Sequence, residues 1–218
     1  ASGNSSKDAL TYYQPEFNKL KITTNQAGVE AVQAIYTLGF GLGMRESSGK
    51  YCEGWDTSAG SNRKSDEGEA GLYQFSYNSI SASPDLKSLY IEYLNSPNRC
   101  LLNVFQENVT CKSQTVLGTG SGAEFQKFVK QCPAFAAEYG MSLLRVLRKH
   151  FGPINRKEAE VKPVCEKVLT QISDLIESNP QVACEEIHSF PTRRSSDAAE
   201  QPRLASSKSE ERRVGKEC

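Results

Sequence analysis

No run of apolar residues in this sequence approaches the roughly 20 that span a bilayer, and no charged start followed by an apolar stretch marks a signal peptide. Charge of one sign is not in excess either. With 26 Lys+Arg against 26 Asp+Glu, the formal net charge is +0, so the chain as a whole has no electrostatic reason to seek nucleic acid or an anionic membrane. Histidine is scarce, at two, and no CxxC pair or Cys/His cluster offers a zinc site. "DTSAGSN" at 56–62 lacks the acidic closing residue of a calcium loop, and polar turn chemistry accounts for it. Neither a metal nor a cofactor is therefore expected. There is no internal repeat. What is present, 38% hydrophobic and 24% charged residues over 218 positions, suits one soluble globular domain or two small ones. The first residues, "ASGNSSKD", contain no Met, which suggests a mature or truncated N-terminus.

Two strings near the end, "HSFPTRRSSD" at 188–197 and "SEERRVGKEC" at 209–218, are basic and Ser-rich, unlike a folded core. They are related in an unusual way. A back-translation of the second, reverse-complemented and shifted by one base, reads as the first. Both resemble translations of the two strands of one sequencing-adapter oligonucleotide, which implies a chimeric, metagenomic reading frame. The expected organisation is a domain over 1–187 and a non-native, disordered tail over 188–218. Setting aside Cys218 leaves six of the seven cysteines: Cys52, Cys100, Cys111, Cys132, Cys165 and Cys184. An even number suits an oxidising compartment, so a periplasmic or secreted protein is expected. A helix over about 162–178 would carry the chain away from Cys165, leaving Cys184 barely able to return to it. Long-range bridges joining different helices are expected instead.

The periodicity is helical. "NQAGVEAVQAIYTLGFGLGMRE" predicts a helix over about 26–46, with Asn25 as N-cap and Gly49 as stop. Ser83 followed by Pro84 opens another, and "AEFQKFVKQC", "AFAAEYGMSLLRVLRKHFG" and "KPVCEKVLTQISDLIES" are amphipathic. The polar, Gly-rich stretch 47–71 predicts a loop or short hairpin. Within the first of these helices Val32, Ile35, Tyr36, Gly39, Leu42, Gly43 and Glu46 share one face, so Glu46 ends an apolar stripe. Gly39 and Gly43 each cost helix propensity, which predicts a closely approaching neighbour. A carboxyl at the edge of such a core loses hydration, and the negative end of the helix dipole also disfavours its ionised form. Both effects hold a proton on Glu46, as a general acid requires.

Glu46-Ser47-Ser48-Gly49, followed after the polar loop by "EAGLYQFSYNS" at 69–79, resembles the lysozyme-like superfamily, particularly goose-type lysozymes and soluble lytic transglycosylases. The match is strong over about 39–79 and only architectural beyond. The resemblance implies a mainly α, lysozyme-like domain with a small loop or β-hairpin lobe. It makes Glu46 the catalytic acid, gives Ser47 a part in holding the carboxyl, and sets Gly71, Leu72, Tyr73, Gln74 and Asn78 at the substrate. Tyr73 stands where the family usually has Met, and the Cys-containing "KYCEGWD" is atypical. The later tyrosine that lytic transglycosylases place beside the acid has two candidates, Tyr77 and Tyr139, for both of which packing is the ordinary role.

A glycosidase normally sets a second carboxylate across the bond, and Asp56, Asp66, Glu67 and Glu69 are available in the loop. Lytic transglycosylases need none, because one glutamate acts as acid and then as base while a substrate hydroxyl closes an anhydro ring. Trp55 is divided between sugar stacking and core packing, and His150 reads as a helix cap before Phe151-Gly152-Pro153. The expected function is cleavage of the β-1,4 glycan strands of peptidoglycan by a monomer. The alternatives are a chitin or chitosan hydrolase and a silent glycan-binding relative.

Overall fold

A computed structural model describes residues 3–55, 62–106, 108–111, 114–163, 174, 175, 177 and 178. The chain is mainly α-helical: α1 (Ala9–Lys19), α2 (Val29–Ser47), α3 (Pro84–Leu94), α4 (Leu102–Gln106), α5 (Ser121–Gln131), α6 (Pro133–Val146) and α7 (Gly152–Arg156). Short 3-10 turns at Tyr77–Ala82, Arg148–His150 and Ala159–Val161 link them. Among the described residues the only β feature is one antiparallel bridge, Ala70 to Phe75. The described residues of the expected lobe, 47–55 and 62–71, form turns and the 3-10 turn Ser65–Glu67, and that bridge closes their end; residues 56–61 lie outside the described residues.

The α1 helix was not foreseen, because Pro15 interrupts its helical reading. Asp8 starts it, accepting from the Leu10 N–H at 2.9 Å, and also pairs with Arg145 Nε at 2.9 Å, so one buried carboxylate both caps α1 and ties it to α6. The α2 helix begins at Val29, three residues later than its pattern suggests. Its N-cap is Gly28, not Asn25. At its other end Ser48 is left-handed, Gly49 has φ 76°, and the Gly49 N–H returns to the Gly43 carbonyl at 3.1 Å. The predicted start of α3 holds, with Ser83 Oγ accepting from the Asp85 N–H at 3.2 Å.

The core is built around α2 and α6. Leu10, Tyr13 and Phe17 of α1, Leu38 and Leu42 of α2, Phe125 and Val129 of α5, and Phe135, Tyr139 and Leu143 of α6 are fully buried. Each such side chain contributes about 1.5–3 kcal/mol of transfer free energy. Phe75 brings the loop into this core, its ring 4.7 Å from that of Tyr139. The Tyr139 hydroxyl bonds Ser79 Oγ at 2.8 Å. The glycines of α2 have the close neighbours their cost required. A Cβ on Gly39 would meet Met141 Sδ at 2.6 Å, and one on Gly43 would meet Leu72 at 3.3 Å and Tyr73 at 3.4 Å. On another side of the helix, a Cβ on Gly41 would overlap the Glu160 carbonyl and come within 2.8 Å of Val161 Cα. The 159–161 turn is therefore seated directly on α2 backbone.

Two cysteine pairs are joined, Cys52–Cys111 with Cα atoms 5.8 Å apart and Cys100–Cys132 at 4.3 Å. Both are long-range, at sequence separations of 59 and 32. Only Cys100–Cys132 joins helical elements, the 3-10 turn Pro97–Cys100 and the junction of α5 with α6, whereas Cys52–Cys111 clips two loops. Such pairs fit a secreted protein, and no helix among the described residues is long and apolar enough to cross a membrane. Cys165, Cys184, most of the amphipathic stretch 162–178 and the tail 188–218 lie outside the described residues.

Candidate active site

Because Glu46 is the last stripe residue of α2, its carboxyl emerges where the helix stops and the wall of a cleft begins. The cleft has a volume of about 400 Å³ and is lined by Arg45, Glu46, Glu69, Gln74, His150, Phe151, Gly152, Pro153 and Arg156. Three chain segments therefore converge: the end of α2, the loop at 69–74, and the run from His150 into α7.

Glu46 is half-buried, and its pKa is raised from 4.5 to about 7. Burial is the largest cause, followed by the negative charges of Glu69 and Glu158, while Arg156 and Arg45 pull weakly the other way. The arginines are weak because they are otherwise engaged. Arg45 pairs with Glu158, and Arg156 reaches the same carboxylate at 2.6 Å. That sharing holds Glu158 below the usual carboxylate range.

Ser47 sits beside Glu46 in sequence, but its hydroxyl serves the backbone. Its single proton is shared between the Gly43 carbonyl at 3.0 Å and the Leu72 carbonyl at 2.8 Å. These bonds lock the 71–74 turn onto the end of α2. Within that turn the four expected substrate residues separate. Gly71 is buried with φ 78°, where a Cβ would also meet Val129 at 3.2 Å. Tyr73 is buried and points into the core, and Leu72 packs over Gly43. Gln74 is the member that lines the cleft. It has φ 49°, and its carboxamide donates to the Gly71 carbonyl at 3.0 Å. A non-glycine residue in this conformation is strained and needs its surroundings to hold it. Asn78 is exposed on the 3-10 turn, accepts from Ser76 Oγ at 2.7 Å, and is not among the cleft-lining residues.

Of the loop carboxylates, Glu69 lines the cleft with Glu46 and acts on its charge. Glu67 is exposed and accepts from the Lys64 N–H at 3.1 Å, Asp66 is exposed, and Asp56 lies outside the described residues. Trp55 is core: it is buried, its backbone pairs with Thr115 in both directions at 3.1 and 3.0 Å, and the Arg63 guanidinium lies 5.9 Å from its ring centre. Tyr77 and Tyr139 belong to the aromatic core and do not line the cleft.

His150 is the residue that sequence reasoning misplaced. It does not cap α6 but sits in the 3-10 turn beyond it, its ring edge-on to Phe151 at 4.9 Å and against the Gln74 backbone. Burial holds its pKa below the ordinary value, opposed by the Gln74 backbone. No signal in the sequence brings 150 to 74, since only the tertiary fold joins them. Among the described residues no cluster of His, Cys, Asp and Glu could hold a metal ion. Comparison with models of known families, with curated proteins and with solved structures finds no match.

Proposed function

We propose that the chain cleaves β-1,4-linked aminosugar strands, with peptidoglycan as the favoured polymer and Glu46 as the acid/base. The observation that carries this is a glutamate whose carboxyl faces an open cleft and holds its proton up to about pH 7. Ordinary glutamates have lost it well below that. A proton held at neutral pH can pass to the glycosidic oxygen as the C–O bond breaks, leaving the Glu46 carboxylate to act next as base. That base takes a proton from an attacking water or from a hydroxyl of the sugar itself, the second route closing an anhydro ring. Glu69 is the candidate for a second carboxylate, because it shares the cleft. There it would stabilise positive charge on the sugar or orient the water.

Two arginines in the cleft favour peptidoglycan over chitosan. Arg45 and Arg156 are each paired with Glu158, and a peptide-stem carboxylate can take Glu158's place on either guanidinium, an exchange that a polycation cannot make. The test is incubation of purified peptidoglycan with the wild-type protein and Glu46→Gln, with mass spectrometry of the released fragments. Release by the wild type and loss in the variant support the reading. Equal release by both contradicts it, and a reducing or anhydro end on each fragment reports which acceptor took part.

A further inference from the structure

One buried nitrogen in the cleft wall has no task in this chemistry. His150 Nε2 meets no hydrogen-bond partner on the protein, a condition it shares among buried side-chain atoms of the described residues with Glu16 Oε2 alone. Glu16 is compensated, since its other oxygen pairs with Lys157 Nζ. The imidazole has no such ion pair. Its surroundings are the Phe151 ring and the Gln74 backbone, to which the imidazole is hydrogen-bonded, with Gly152 and Pro153 continuing the wall. That one bond leaves Nε2 desolvated with nothing to offset the cost. Burial also keeps the imidazole neutral, so that it can donate or accept. What lies over this wall is adjustable: the Arg156 guanidinium folds across Gly152, where an added Cβ would meet Nη1 at 2.7 Å, and its side chain is 64% exposed.

We infer that His150 is a substrate-binding residue whose Nε2 bonds a hydroxyl or N-acetyl group of the bound glycan, directly or through one water, as the Arg156 side chain is displaced. This rests on the glycan-cleavage reading and adds a contact to it on the wall formed by 150–153. Such a role separates from a structural one by a loss of activity without a matching loss of stability. His150→Phe should fold with a Tm close to that of the wild type, because removing the unmet nitrogen offsets the lost bond to the Gln74 backbone. Its kcat/KM on peptidoglycan should fall about 3- to 10-fold, chiefly through KM, and His150→Gln should recover part of the loss.

A spectroscopic arm stands apart from turnover. In the Glu46→Gln protein, a soluble β-1,4-linked N-acetylglucosamine oligomer should move the ¹⁵Nε2 resonance of His150, with His188, the only other histidine, as internal reference. Wild-type kcat/KM in His150→Phe, or an Nε2 resonance unmoved by saturating oligomer, overturns the inference. So does a parallel loss of stability and activity in both variants with that resonance unmoved. If the wild-type protein releases nothing from peptidoglycan, the cleavage reading falls, and the resonance still decides whether His150 binds glycan.

Discussion

Replacing Glu46 by Gln should make the protein more stable at pH 8 and leave its stability unchanged at pH 4. The sign follows from where the proton resides. The unfolded chain ionises Glu46 near its ordinary value of 4.5, whereas the folded chain holds the proton to about 7. Below 4.5 both states carry it, and the carboxyl adds nothing to the pH dependence. As the pH rises from there the unfolded state gains from ionising and the folded state does not, so stability falls until the folded carboxyl also ionises. Above about 7 the full penalty is present. For an enclosed group this displacement would amount to about 3 kcal/mol, at ~1.4 kcal/mol for each tenfold change in proton affinity. Glu46 is half-buried at an open cleft, where water screens its charge, so the expected penalty is about 1–2 kcal/mol. Gln keeps the shape and never ionises. Urea unfolding of both proteins at pH 4, 6 and 8 should give midpoints that coincide at the first and diverge in favour of Gln at the last. A constant difference, or a Gln variant less stable at pH 8, would refute the claim that burial and Glu69 oppose ionisation.

Three further substitutions have defined outcomes. Glu69→Gln removes the charge that ranks second in raising the Glu46 pKa, so the alkaline limb of activity should move to lower pH, and a limb that stays or rises argues against the pairing. Gly41→Ala drives a methyl into the Glu160 carbonyl and should cost about 1–3 kcal/mol in thermal unfolding, while unchanged stability would mean that 159–161 is not seated on α2. Replacing Cys52 and Cys111 together by Ser opens a link across 59 positions and should cost about 2–4 kcal/mol, detectable as a lower denaturant midpoint under non-reducing conditions.

The legible part of this fold is the part written in spacing. The face from Val32 to Glu46 needs only the 3.6-residue repeat, and it led to a half-buried carboxyl at a helix end and to the close neighbours of Gly39 and Gly43. Helix α1 was hidden because local propensity counts Pro15 as a break, whereas its capping Asp8 and the burial of Tyr13 and Phe17 are won through α6 and the core. The motif singles out the 69–74 segment, but which of its side chains turns outward depends on left-handed residues at 71 and 74 that no periodicity encodes. Likewise, nothing local separates Glu69 from Glu67, since one faces the cleft and the other closes its own turn. The place of His150 in the cleft wall depends on a contact with Gln74, more than seventy positions away.

Turnover of purified peptidoglycan by Glu46→Gln, compared with the wild type on preparations shown free of contaminating lysozyme, tests the central claim most directly. Loss of the transferable proton should lower kcat by roughly 10²-fold or more while glycan binding is largely kept. A Glu46→Gln protein that releases fragments at the wild-type rate would contradict the assignment of Glu46 as the acid and, with it, the proposal that this cleft breaks glycan strands.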